Sequence, residues 1–143
     1  MATLKISDLS VGDWVYVQFT DGDKLSGRIV SLSDTGSMEV LCPNTKVVRC
    51  TIHFIFPIHI TAEVLEKNGF EEHCGGIFRY EWMWQGESSG ITLCSFDEEL
   101  WFVDLFFKEG KDIMCNIPTF SVHQLQHILR LAGVEKEIVI PNK

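Results

Sequence analysis

An α+β protein is what this sequence predicts, on three observations. Short runs of alternating apolar residues, broken by Asp-Gly and Thr-Gly turns, fill the first part of its 143 residues. A second series of strands, rich in aromatic residues, runs from Ile77 to Ile117. Two capped helical segments stand before and after that series.

From Val11 to about Ile58 the strands read Trp14–Phe19, Leu25–Leu32, Ser37–Cys42 and Lys46–Ile52, separated by Asp21-Gly22-Asp23, Ser33-Asp34-Thr35-Gly36 and Pro43-Asn44. So small a sheet hides its apolar face only by curling, so residues 1–58 are expected to form an SH3-like β-barrel. Pro57-Ile58-His59-Ile60 reads as the junction to a second domain, 59–143. There Thr61 caps a short helix that buries Val64 and Leu65 and stops at Gly69. Strands Ile77–Trp84, Gly90–Phe96, Glu99–Phe107 and Lys111–Ile117 follow as an antiparallel meander, because their connections are short. Ser121 and Gln124 make a capping box for a helix that runs to Ala132 and stops at Gly133. Its apolar stripe is Val122, Leu125, Ile128, Leu129 and Ala132, which leaves His123, Gln126, His127 and Arg130 for the outer face. Lys136–Ile140 is expected as a last strand. The whole is an SH3-like barrel packed on an antiparallel sheet with two short helices.

Composition narrows the function classes. A chain 45% hydrophobic with ten Phe and four Trp carries its own core, which excludes a disordered or fibrous protein. Twelve Lys and Arg against 20 Asp and Glu give a net charge of −8, which disfavours nucleic acid as a partner. Most of that excess lies from Ile58 onward, where seven basic residues face fourteen acidic ones. Met1–Asp8 lacks the apolar stretch of a signal peptide, and no run is long enough to span a bilayer, so a cytoplasmic protein without membrane attachment is expected. Five cysteines (Cys42, Cys50, Cys74, Cys94, Cys115) without a CxxC pair fit reduced thiols better than a disulfide framework. Cys94 and Cys115 are expected in the core and Cys74, beside Gly75-Gly76, in the open.

Period-two alternation singles out the candidate surfaces. In the first strand Val15, Val17 and Phe19 fill the barrel and turn Trp14 and Tyr16 outward, either to the surface on which such barrels hold peptides or bases or, as two halves this small need an interface, against the second half of the chain. Phe78, Tyr80, Trp82 and Trp84 share one face. So do Leu100, Phe102, Asp104 and Phe106, opposite Trp101, Val103, Leu105 and Phe107, and Asp104 needs a partner such as Arg79. Both faces of this second sheet thus read as apolar, one of them destined for the barrel or for a second copy of the chain. His123 and His127 have the i, i+4 spacing of metal ligands, but Gln124 stands where a HExxH motif has its acid. With His73 and Cys74 they would make a small metal-dependent or Cys/His-dependent hydrolase. That set closes no four-ligand pattern, so neither metal nor cofactor is expected. Nucleic-acid binding through the barrel would need Lys24, Arg28, Lys46 and Arg49 to converge on one face. The sequence fits best a non-catalytic interaction module, with a protein partner or self-association, and with Trp14, Tyr16, His123, Gln126, His127 and Arg130 as candidate contacts.

Three stretches carry a resemblance: Leu9-Ser10-Val11-Gly12-Asp13-Trp14-Val15, Leu65-Glu66-Lys67-Asn68-Gly69-Phe70-Glu71, and Val122-His123-Gln124-Leu125-Gln126 continuing through Leu129 and Leu131 to Gly133 and Glu135. In these the chain resembles a family of small uncharacterised proteins found in gut Bacteroidetes and in their phages and mobile elements. The resemblance implies a two-part architecture in a bacterial cytoplasm and supplies no catalytic or binding residue to carry over. This chain is richer in Cys and Trp.

Overall fold

The computed structural model describes residues 4–42, 46–73, 75–84, 87–95, 97, 99–107, 111–134 and 136–140; the side chains of 46, 84, 87, 107 and 111–116 lie outside that description. Within it the chain is α+β: two five-stranded antiparallel sheets and two short helices. It divides into two compact units. The first runs to Ile58 and includes Ser121–His123, and the second holds His59–Phe120 and Gln124–Pro141. No helix among the described residues is long and apolar enough to cross a membrane.

The first unit is built on β1 (Trp14–Gln18), β2 (Lys24–Leu32), β3 (Ser37–Cys42), β4 (Lys46–Thr51) and, after a 3₁₀ turn at Ile52–Phe54, β5 (Ile55–Pro57). Their order is β4-β3-β2-β1-β5. Alternation sends Val15 and Val17 inward to join Leu9, Ile29, Met38, Val40, Cys42 and Ile55 in one buried cluster, with Phe19 half-buried at its margin. The expected barrel is not closed. Among the described residues β5 pairs with β1 alone, and a three-residue strand is too short to carry a second ladder round to β4. The ladder between β2 and β3 shifts between Ile29 and Ser31, so that Val30 stands out at 43% exposure and the strand changes phase. At the entry to β1 the Asp13 carboxylate is wholly buried and its Oδ2 accepts from the Ser10 backbone N–H at 2.8 Å. The same turn is tied to β2, for Gly12 N–H donates to the Ile29 carbonyl at 2.7 Å and Ile29 N–H to the Asp13 carbonyl at 2.9 Å.

The second unit opens with α1 (Ala62–Lys67), where Thr61 Oγ1 accepts from Val64 N–H at 3.2 Å. The helix ends as the sequence predicts. Gly69 takes φ +85°, Gly69 N–H donates to the Glu66 carbonyl, and Phe70 N–H reaches the Leu65 carbonyl at 3.0 Å. The second helix, α2 (Val122–Leu131), stops identically, with Gly133 left-handed and Val134 N–H on the Leu129 carbonyl at 2.9 Å. Gln124 Oε1 accepts from Phe120 N–H at 2.8 Å, one residue further back than a capping box centred on Ser121 predicts.

The second sheet has the order β10-β9-β8-β7-β6, with β6 (Glu71–His73), β7 (Ile77–Trp84), β8 (Glu87–Cys94), β9 (Trp101–Phe107) and β10 (Lys111–Thr119). One face is the core. Phe78, Ile91, Leu93, Trp101, Val103 and Leu105 are all buried, and Phe78 meets Trp101 edge-on at 5.8 Å between ring centroids. Tyr80 continues that face between Phe70 at 5.3 Å and Trp82 at 6.2 Å. The second face, on which Ile77, Cys94 and Phe102 also lie side by side, is not the continuous apolar surface expected. Register aligns Glu71, Arg79, Thr92 and Asp104 across β6, β7, β8 and β9, a charged row that wets that side. Arg79 Nε lies 2.6 Å from Glu81 Oε1, and its guanidinium lies over the Phe106 ring at 4.4 Å. The same ring covers Gly90, where a Cβ would overlap it. Between β8 and β9, Asp97 Oδ1 accepts from the Glu99 and Leu100 amides at 3.0 and 3.1 Å. Those backbone bonds hold its carboxyl below the usual range.

The expected strand at Lys136–Ile140 does not form. Those residues pair with no strand among the described residues, and Val139 is bonded by the Asn68 side chain instead. Asn68 Nδ2 donates to the Val139 carbonyl at 2.8 Å and Val139 N–H donates to Asn68 Oδ1 at 2.7 Å.

Candidate functional site

The outer face of the first sheet gathers aromatic rings and cations. Ladder partners share a face, so Trp14 with Arg28, Tyr16 with Ser26 and Phe56, and Gln18 with Lys24 all stand opposite the buried valines. Two of the cations lie over rings. Lys24 Nζ lies 4.6 Å from the Phe56 centroid and the Arg28 guanidinium 5.9 Å from that of Trp14. Trp14, Tyr16, Phe56 and Arg28 are half-buried and Lys24 is exposed. The row then continues through exposed Leu41 and Val47, the latter on the edge strand β4. Each such stacked pair contributes about 0.5–1 kcal/mol at a surface, so their value is to hold flat rings and positive charge in fixed positions.

Past the bulge the face turns polar. Ser31 Oγ donates to Glu39 Oε1 at 2.9 Å, and Arg49 Nε lies 3.5 Å from Glu39 Oε2. These three line, together with Leu32 and Met38, an open depression of about 260 Å³. Lys24, Arg28 and Arg49 therefore share one face, with Arg49 ion-paired to Glu39; the Lys46 side chain lies outside the described residues.

Trp14 and Tyr16 were legible from alternation alone. Phe56 was missed because it sits in a three-residue strand behind a 3₁₀ turn. The available signal was the Ile55-Phe56 pair, one residue buried and the next on the face, in the phase of Val17 and Tyr16.

The helical candidates divide. His127 is half-buried and Arg130 is exposed, but His123 and Gln126 are 3% and 7% exposed and do not form an outer face. The error lies in the width of the buried stripe. Residues step by about 100° around a helix. His123, Gln126, Val122, Leu125, Ile128 and Leu129 together bury more than half of the circumference, and Leu131, on the far side, is 80% exposed. His123 Nδ1 lies 2.9 Å from Ser121 Oγ, which gives the buried ring a polar neighbour. His123→Ala is accordingly expected to cost about 1–3 kcal/mol in a thermal or urea melt. A loss within about 0.5 kcal/mol would return His123 to the surface candidates.

Among the described residues no group of three or more His, Cys, Asp or Glu side chains converges. His73 is exposed on β6 and Cys74 lies outside the described residues. Cys94 is half-buried, and Cys115 lies in β10 with its side chain outside the description. In the first unit, burial and then the neighbouring Cys42 push the Cys50 thiol up, away from the thiolate that nucleophilic chemistry uses. No protein-family model matches the chain, and comparison with curated proteins finds no relative.

Proposed function

We propose that the protein is a non-catalytic interaction module of the cytoplasm, whose SH3-like first unit binds an acidic, extended segment of a protein partner on its outer face. The observation that carries this reading is the stacking of Lys24 on Phe56 and of Arg28 on Trp14, on either side of Tyr16. Flat rings accept apolar side chains of an extended chain, and the two cations select carboxylates in a protein that is otherwise acidic. The strand order β4-β3-β2-β1-β5, with a 3₁₀ turn before the last strand, supports the SH3-like comparison. The resemblance to small proteins of gut Bacteroidetes and their phages is compatible with such a role and assigns no activity.

A labelled peptide of alternating Glu and Val, followed by fluorescence anisotropy, tests the proposal. Binding is expected to weaken by about tenfold or more in Arg28→Glu and Lys24→Glu, while the melting temperature stays within a few degrees. A peptide that binds the charge-reversed variants equally well would sink it, as would preference for a single-stranded oligonucleotide over the peptide at physiological salt.

A further inference from the structure

The C-terminal stretch of the second unit is held as a bound peptide is held. Residues 136–140 belong to no ladder, yet Ile138 and Ile140 are 1% and 6% exposed while Val139 between them is 56% exposed. Two apolar side chains are thus seated and the one between is presented to solvent, the alternation of an extended guest. Its backbone is recognised as a neighbouring strand would recognise it, with both polar groups of Val139 engaged, but by the amide of Asn68. Asn68 is itself buried, and its Nδ2 also donates to the Val64 carbonyl at 2.8 Å, so the last turn of α1 fixes the direction in which the amide faces. Lys136, at the head of the stretch, lies over the Tyr80 ring at 5.1 Å.

We propose that residues 136–140 act as an intrachain ligand on a peptide-binding seat. The guest that seat admits in their place is an extended peptide of apolar–x–apolar spacing from another protein. The middle residue is read through its backbone alone, so its side chain is unrestricted; the two flanking residues carry the selectivity. A tethered guest has an effective concentration of roughly millimolar, so the chain's own segment shields the seat until a tighter peptide displaces it.

The test uses the full chain and a labelled, end-blocked peptide Lys-Glu-Ile-Val-Ile as probe. Ile138→Ala/Ile140→Ala loosens the resident segment and is expected to bind the probe at least about tenfold more tightly than the parent. Adding Asn68→Ala is expected to remove that gain. A folded double variant that does not bind the probe overturns the proposal, and so does binding that survives Asn68→Ala. Should the double variant fail to fold, hydrogen exchange on the parent decides. The Val139 amide is expected to exchange about a hundredfold faster than amides of the central strand β8, and equal protection would mean that the seat never opens.

Discussion

Replacing Trp101 with alanine is expected to cost about 3–5 kcal/mol, the largest effect of any single truncation in the second unit. The indole is 1% exposed, lies edge-on to Phe78 at 5.8 Å, and sends its Nε1–H to the Ile60 carbonyl at 3.0 Å. Three contributions are therefore lost together: transferred apolar area, an aromatic pair and a buried hydrogen bond. Trp101→Phe separates them. It keeps a ring near Phe78 and leaves the Ile60 carbonyl without its indole donor, so an intermediate loss of about 1–3 kcal/mol is expected in urea unfolding. If the phenylalanine variant matched the parent, the Ile60 bond would contribute nothing to stability, and only packing would remain.

Gly90→Ala is expected to cost about 1–3 kcal/mol through overpacking. A methyl group there overlaps the Phe106 ring, and any shift of the ring also disturbs its contact with the Arg79 guanidinium, 4.4 Å from the centroid. The cause is specific enough for a double-mutant cycle. In a Phe106→Ala background the same Gly90→Ala change is expected to lose most of its cost, giving a coupling of about 1 kcal/mol or more. Additive losses would show that the glycine serves its backbone conformation and not the ring.

The parts of the fold that were legible were those in which local periodicity and burial coincide. Val15, Val17, Trp101, Val103 and Leu105 alternate cleanly and are buried as alternation requires. Thr61, Gly69 and Gly133 carry helix signals whose chemistry is local. What was missed depends on neighbours remote in sequence. β2 changes phase after Ile29, because the bulge at Val30 answers to β3 and leaves no mark in the text of β2 itself. Asn68 reads as an ordinary helix-terminal residue, and its partner lies 71 residues away. His123 and Gln126 look like surface residues because their type is polar, whereas their position on the helix places them in the buried arc. Of the candidate site, Trp14 and Tyr16 were legible and Phe56, Lys24 and Arg28 as stacking partners were not, since cross-strand pairing decides which cation meets which ring.

The Asn68 amide also constrains the length of the chain. Strands joined by a ladder can slip by two residues and find equivalent partners, so a ladder absorbs small insertions and deletions at its ends. A segment whose backbone is bonded by a fixed side-chain amide cannot slip in that way, because a shift takes Val139 away from Asn68. Removing a single residue after Gly133 would bring an outward-pointing side chain to the place of Ile138 and turn an isoleucine to water. The terminal stretch should therefore accept many side chains at Glu137 and Val139 while tolerating no change in the number of residues that precede them, a pattern that homologous sequences would display as substitution without gaps.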